Sequence, residues 1–223
     1  DRIALYGYTH LPGRFQPQEH IPVDDLPTDA VRRTMLSQSL SALLSMGYVY
    51  VGMGHFALPD NALAIAKRQG RLHRSFQGFS TQPDGDLIGL GVSAIGHMGA
   101  TYSQNAKTLA EYGDRLDHGL FPVVRGLTLT RDDLARRSVI MALVCQGQVQ
   151  IESIELAYLL DFRSYFSREL QALQPLVEQG LVTVDAADIQ LTVEGRFSER
   201  AVAMVFDRYL QNDRMRAQAT RIH

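Results

Sequence analysis

Short apolar strands alternate with helical segments through the first half of the chain, and this alternation constrains the fold more than any other feature. Ile3 and Leu5 mark a first strand, and apolar residues then recur at helical spacing over residues 28–46. A second strand and a second helix follow at 48–53 and 60–69. This order predicts an α/β fold with parallel strands, in which the loops at the strand ends hold functional groups.

Residues 86–95 predict a third strand that is unusually rich in glycine. Gly89 and Gly91 allow the backbone to approach another group closely. That group is either a nucleoside-like ligand or a neighbouring helix. A single Gly-x-Gly pattern is weak evidence for the first interpretation, and packing against a neighbouring helix is the favoured one.

Helices dominate after about residue 120. Thr130 and Asp133 have the spacing of a capping box at the start of a helix. The remaining predicted elements are two helices (151–159 and 164–179), two alternating strands (181–184 and 189–193) and a last helix (201–210). This succession resembles a winged helix, so we expect one domain over 1–120 and a mainly helical, winged-helix-like domain over 121–223.

Charge and hydropathy argue against two classes of partner. The formal net charge is −2 and the pI about 6.4, so the chain as a whole does not attract nucleic acid. In the predicted recognition helix, Arg163 and Arg168 are offset by Glu169 and Glu178, which favours a structural role over DNA binding. No apolar run is long enough to span a bilayer, and we expect a cytoplasmic protein.

Cysteine content limits metal chemistry within this sequence. Cys145 is the single cysteine, which excludes an internal disulfide and any site built from several thiolates of this chain. The sequence begins at Asp1 in what reads as a strand, so we expect a fragment of a longer protein.

A loop predicted at residues 70–81 combines cations with aromatic side chains. Arg71 and Arg74 suit carboxylates, and Phe76 and Phe79 offer apolar faces, so the loop suits a flat anionic ligand. The alternative is an exposed loop with solvated arginines. Composition alone favours the exposed loop.

Two histidines follow predicted strands. His10 and His55 lie where α/β folds place functional groups, which suggests general acid–base catalysis. Neither has a second ligand at metal-binding spacing, so we expect no metal site. A structural role is nevertheless more common than catalysis for a histidine at a strand end.

Six short runs resemble those of the oxygen-independent coproporphyrinogen III oxidases. In order along the chain they are residues 52–57, 72–78, 86–95, 103–107, 131–133 and 204–210. Because they extend through the whole chain in the family's order, the chain is identified as similar to the C-terminal half of these radical S-adenosylmethionine (SAM) enzymes.

The resemblance implies a fold and an activity. The fold would be the second half of a radical SAM (β/α) partial barrel, followed by the winged-helix-like domain. The full-length oxidoreductase would convert coproporphyrinogen III to protoporphyrinogen IX in haem biosynthesis, by oxidative decarboxylation through a SAM-derived deoxyadenosyl radical. It would use two SAM molecules, a [4Fe–4S] cluster bound by cysteines upstream of this chain, and an unidentified electron donor. The fragment alone would be inactive.

Site residues follow by position from the same resemblance. Thr9 and Ile95 would contact the two SAM molecules, and Phe76 and Gln77 would lie near the reacting atoms. His55 is retained as a further catalytic candidate.

For the substrate, a tetracarboxylate macrocycle needs cations and apolar walls. Arg71, Arg74 and Phe79 supply both, so the resemblance favours ligand binding for the loop at 70–81.

Some positions depart from the family pattern. The family has an acidic residue at Gly54 and an arginine at Leu58, so charges beside His55 are missing. This leaves open a radical SAM relative without the decarboxylase activity. A non-enzymatic module that binds through the winged-helix-like domain is a further alternative.

Overall fold

The computed structural model describes residues 1–83 and 85–210. Its internal contacts divide the chain into two compact units, an N-terminal unit of Asp1–Arg68 and a C-terminal unit that starts at Gln69. This division falls earlier than the predicted boundary near residue 120, and the assignment of domains to 1–120 and 121–223 stays a prediction. Residues 211–223 of the predicted second domain lie outside the described residues.

The N-terminal unit is a small antiparallel sheet with two helices. Its elements are β1 (Arg2–Ala4), α1 (Asp29–Ser45), β2 (Val49–Gly52), β3 (His55–Ala57) and α2 (Ala62–Arg68), with 3₁₀ turns at Gln16–His20 and Val23–Asp25. The strand order is β1-β3-β2. Val51, Phe56 and Leu63 form its buried core.

Helix α1 confirms the prediction for residues 28–46 in position but not in packing. The Thr28 side chain accepts a hydrogen bond from the backbone N–H of Val31 and caps the helix. None of the helix residues is buried, so the predicted apolar stripe is not a core-facing stripe. Met35, for example, is 54% exposed.

The first part of the C-terminal unit contains two antiparallel sheets and one helix. Its elements are β4 (His73–Ser75), β5 (Gly78–Ser80), β6 (Ile95–Met98), β7 (Thr101–Asn105), α3 (Leu109–Asp117) and β8 (Val123–Thr128). Strands β4 and β5 form a hairpin where a loop was expected, and β6, β7 and β8 form a three-stranded sheet in that order.

The strand predicted at 86–95 is wrong over most of its length. Only Leu87, bridged to His97, and Ile95 are paired, and the residues between them form a loop. Gly91 and Ser93 have φ angles of 98° and 61°, which an extended strand does not allow.

Parallel strands were also expected, and in the described parts of the chain every strand pair is antiparallel. The strands of the N-terminal unit illustrate the reason. Between β2 and β3 lies a two-residue turn, Met53-Gly54, with φ angles of 49° and 77°. Positive φ at both positions makes a tight hairpin, which reverses the chain where a helical crossover was expected. Mixed helix and sheet, the coarser part of the prediction, is confirmed.

The last part of the C-terminal unit is mainly helical. Its elements are α4 (Arg131–Gln146), β9 (Gln148–Gln150), α5 (Ile151–Tyr158), α6 (Phe162–Tyr165), α7 (Ser167–Glu178), β10 (Val182–Val184), β11 (Asp188–Leu191) and α8 (Glu199–Ala203), with 3₁₀ turns at Gly195–Phe197 and Met204–Phe206. The strand order is β10-β11-β9. Val139, Leu143, Phe166 and Phe206 are fully buried between the helices.

The capping box at the start of α4 is confirmed. The Thr130 side chain accepts from the backbone N–H of Asp133, whose carboxylate accepts from the backbone N–H of Thr130 at 2.8 Å. The helix predicted at 164–179 is instead two helices, α6 and α7, which meet at Phe166.

Candidate active site

One face of the sheet β6-β7-β8 forms the floor of a cleft of about 270 Å³. Side chains alternate between the two faces of a strand, so the cross-strand pairs Ile95–Gln104 and His97–Tyr102 lie on the same face. Arg125 on β8 is paired with Gln104 and adds a cation there. We call this hollow the sheet-face cleft.

Phe76 forms part of the wall of the sheet-face cleft together with Ile95. Phe76 and Gln77 are the two turn residues between β4 and β5, and the Phe76 ring is 73% exposed. The hydroxyl of Ser75 accepts from the backbone N–H of Gln77 and donates to its side-chain oxygen, which fixes the turn. The structure thus brings together Phe76 and Ile95, two of the residues predicted for the site.

Ile95 is positioned by a close backbone contact. A Cβ atom on Gly89 would lie 2.8 Å from the carbonyl oxygen of Ile95, so no other residue fits there without movement. The amide of buried Asn105 donates to the carbonyl oxygens of Gly89 and Gly91 at 3.0 and 2.9 Å. Close packing is therefore the reason for Gly89, whereas a Cβ on Gly91 would meet open space and its φ angle of 98° is what favours glycine there.

Three residues that sequence reasoning missed lie at or beside the sheet-face cleft: Tyr102 lines it, and Tyr102, His97 and Arg137 line a smaller adjoining hollow. The His97 and Tyr102 rings stack with centroids 4.6 Å apart, and the Nε of Arg137 donates to the Tyr102 hydroxyl at 3.1 Å. Arg137 comes from α4, 35 positions away from Tyr102. Its only sequence signal was the pair Arg136-Arg137, which is too short to indicate a site.

The predicted substrate residues differ in their surroundings. Arg74 and Phe79 are a cross-strand pair, with the guanidinium carbon 4.9 Å from the ring centroid. Arg71 is exposed and donates to the side chain of Gln69 just before it. Arg71 does not line the sheet-face cleft.

Thr9 lies in the N-terminal unit, in an exposed segment after β1. Its carbonyl oxygen accepts from the side chain of Gln18 at 3.2 Å. His10, the neighbouring candidate, has its Nδ1 atom 3.0 Å from the Tyr8 hydroxyl. The predicted contact of Thr9 with SAM stays a prediction.

His55 is held by the backbone and by Tyr6. Its Nδ1 atom lies 3.1 Å from the carbonyl oxygen of Met53 and 3.3 Å from that of Gly52, so this nitrogen is the donor. Its Nε2 then accepts from the Tyr6 hydroxyl at 2.9 Å. This arrangement suits a structural histidine. The catalytic role predicted for His55 stays a prediction.

An ion-pair network lies at the start of α4. Arg136 bridges Asp132 at 2.9 Å and the buried Glu169 at 2.7 Å, and Arg208 contacts Asp132 at 2.6 Å. Burial raises the pKa of Asp132, but hydrogen bonds from Tyr165, Arg136 and Arg208 outweigh it, so the net pKa lies below its usual value.

The network also includes Asp133. Burial raises its pKa as well, but hydrogen bonds from Thr130 and Tyr209 and the charge of Arg208 outweigh it, so the net pKa again lies below the usual value. Asp132, Asp133 and Arg208 belong to two of the sequence runs on which the resemblance rests. The network connects those runs in space.

The residues of the chain fit one of the two expected cofactors. The sheet-face cleft offers apolar Ile95 and Phe76 beside polar Gln104 and Arg125, which suits an amphipathic nucleoside such as SAM. An iron–sulfur cluster does not fit, because Cys145 is buried and a cluster needs several thiolates. In the described ranges no three histidine, cysteine or acidic side chains are grouped as metal ligands would be.

None of the helices in the described part of the chain has the length and apolarity to cross a membrane.

Comparison with known proteins defines the class. Residues 129–198 match the family model described as the HemN C-terminal domain. A solved structure described as coproporphyrinogen III oxidase (HemN) from Escherichia coli, a radical SAM enzyme, superposes with a TM-score of 0.88 at 44% identity. The match covers 94% of this chain and 48% of that one.

Curated relatives give the same result. The oxygen-independent coproporphyrinogen III oxidase of Pseudomonas aeruginosa is 44% identical, over 94% of this chain and 46% of that protein. The Escherichia coli enzyme is 42% identical, over 100% of this chain and 49% of the enzyme. The chain therefore spans about half the length of these relatives. The predicted resemblance is confirmed: the chain is similar to the C-terminal half of the oxygen-independent coproporphyrinogen III oxidases.

Proposed function

We propose that the full-length protein converts coproporphyrinogen III to protoporphyrinogen IX without oxygen, in haem biosynthesis. The observation that supports this is the sheet-face cleft, where Phe76 and Ile95 line one hollow in a chain 44% identical to such an oxidase. SAM and a [4Fe–4S] cluster would supply a deoxyadenosyl radical that removes a hydrogen atom from a propionate side chain, which then loses CO₂ and one electron.

The residues of this chain would bind and shield the reactants. Ile95 would contact one SAM molecule and Thr9 the other, while Phe76 and Gln77 would cover the reacting carbon from the hairpin turn. An exposed phenyl ring at the mouth of a cleft excludes water once a ligand is bound, which protects a radical from side reactions. Arg71, Arg74 and Phe79 are proposed to face the macrocycle.

The remaining parts of the proposal concern the rest of the protein. Cluster-binding cysteines would come from the part of the protein upstream of this chain, and the electron donor would be a separate, unidentified partner. We propose a cytoplasmic enzyme with a partial barrel over 1–120 and a winged-helix-like domain over 121–223. The similarity to a radical SAM structure supports the partial barrel. The sheet β10-β11-β9, which accompanies the helices α4, α5 and α7, supports the winged-helix-like domain.

The test is anaerobic turnover of the full-length protein with SAM, a reductant and coproporphyrinogen III. We expect protoporphyrinogen IX and deoxyadenosine. Replacing Phe76 with alanine should reduce product formation by about tenfold or more, because the radical and substrate lose a positioning wall. Phe121→Ala is the matched control, since Phe121 is 87% exposed and does not line the cleft. If neither SAM cleavage nor product is seen, the proposal is wrong.

A second candidate is a radical SAM relative without the decarboxylase activity. Gly54 favours it, because a Cβ atom there would lie 2.4 Å from the carbonyl oxygen of Leu5. The turn therefore excludes the acidic side chain that the family has beside His55. Deoxyadenosine formation without any protoporphyrinogen IX would support this candidate.

A further inference from the structure

A second hollow, of about 290 Å³, lies between hairpin strand β4 and helix α4. His73 and Arg74 line one wall, and Arg137, Met141 and Cys145 line the other. None of the described residues that line it is acidic, and Arg74 and Arg137 both contribute guanidinium groups to it. We call it the guanidinium cleft.

One hydrogen-bond donor of the Arg74 guanidinium has no acceptor among the described residues. Its Nη1 atom is buried from solvent and has no hydrogen-bond partner among the described residues. The Phe79 ring contacts the guanidinium but offers no lone pair. A buried donor on a charged group costs free energy unless it is paired, so an anion is the natural partner.

Arg136, the residue next to Arg137, is an arginine whose charge is paired within the chain. Its guanidinium contacts Asp132 and Glu169 within the chain. In the described residues no carboxylate of the chain stands within ion-pair distance of Arg74. Among the described residues, carboxylates therefore pair with Arg136 but not with Arg74.

Arg137 connects the guanidinium cleft to the candidate active site. Besides lining the cleft with Arg74, it lines a small hollow beside the sheet-face cleft together with Phe76 and Ile95. Arg137 is therefore shared by the hollow beside Phe76 and the guanidinium cleft.

We propose that Arg74 and Arg137 form a carboxylate-binding subsite in the guanidinium cleft. The inference rests on the proposed function, which offers two sources of this group: a propionate of the tetrapyrrole and the amino-acid carboxylate of SAM. Arg137 was not among the residues predicted from the sequence, whereas Arg74 was predicted to bind the substrate. The proposal assigns a ligand carboxylate to both. A planar guanidinium matches a carboxylate through two parallel hydrogen bonds.

The experiment measures dissociation constants of the full-length protein for two ligand pairs. The first pair is coproporphyrin III and its tetramethyl ester, and the second is SAM and decarboxylated SAM. Arg74→Gln and Arg137→Gln are expected to weaken binding of the acid in one pair by about tenfold each, and to leave the ester or decarboxylated form unchanged. The pair that responds identifies the source of the carboxylate.

Arg168→Gln is the matched control, because Arg168 is exposed on α7 and does not line the guanidinium cleft. If Arg74→Gln does not fold, Arg74→Lys tests the same contact with the charge retained and the two-point geometry lost. The inference is overturned if neither pair responds, or if acid and carboxylate-free forms weaken equally. Failure of the unmodified protein to bind coproporphyrin III would instead contradict the proposed function.

Discussion

At the scale of single residues, charge and steric fit explain why particular residues stand in the runs on which the family resemblance rests. Asp132 accepts from Tyr165, Arg136 and Arg208, three groups from three parts of the chain. Gly89 lies against the carbonyl of Ile95, where a side chain has no room. Each residue fixes a contact between segments that are distant in sequence.

Asp132 makes stability depend on acid pH. Because its folded-state pKa is lowered, its contribution is fully present above the unfolded-state value of about 3.9 and is lost as the pH falls through the folded-state value. Asp132→Asn should therefore lower the thermal unfolding midpoint at pH 7 and have a smaller effect near pH 3. Asp117→Asn, at an exposed position of α3, is the control and should change neither value.

Gly89→Ala should destabilise the full-length protein by about 1–3 kcal/mol, because the new methyl group meets rigid backbone at 2.8 Å. Gly126→Ala is a suitable comparison, since its Cβ would meet the nearest atom at an ordinary 3.5 Å. Thermal unfolding of both variants measures the difference. Equal effects would show that Gly89 is not sterically required.

At the scale of elements, helix ends were the most predictable features. Thr130 and Asp133 are three positions apart and satisfy each other's backbone groups, so the start of α4 depends on local sequence alone. Gly147, with a φ angle of 76°, ends the same helix in the conformation that glycine favours.

Thr130→Ala removes the cap of α4 and is expected to cost about 1 kcal/mol of stability. The same substitution should loosen the carboxylate of Asp133, which accepts from the Thr130 hydroxyl at 2.7 Å. Ser153→Ala, on an exposed position inside α5, should have almost no effect. Urea unfolding midpoints of the two variants measure the difference in stability. A loss of stability for Ser153→Ala as large as that for Thr130→Ala would contradict the assignment of Thr130 as the cap of α4.

At the scale of the whole molecule, the chain contains two compact units that meet in sequence between Arg68 and Gln69. The next residues, Gly70 and Arg71, are exposed. Exposed connections between compact units are preferred sites of proteolysis.

Brief trypsin treatment of the full-length protein should therefore cut after Arg68 or Arg71 before it cuts elsewhere in the C-terminal unit. Mass spectrometry of the first fragments identifies the site. A first cut within 121–210 would mean that the division between the units is not the most accessible connection.

Elements that depend on nearby residues followed from the sequence: the capped helices α1 and α4, helix α5, and the strands β10 and β11. Their signals are caps, glycine stops and periodic apolar residues, which act over a few positions. The family resemblance followed as well, because it rests on short runs of residues.

Only the tertiary structure decided how these elements pair. It made β4 and β5 a hairpin, broke the strand predicted at 86–95, and placed Arg137 of α4 on Tyr102 of β7. Strand pairing and side-chain contacts between distant segments depend on which surfaces are buried together, and local propensity contains no information about that choice. The guanidinium cleft exists for the same reason: Arg74 and Arg137 are 63 positions apart in the sequence, and only folding brings them to one hollow.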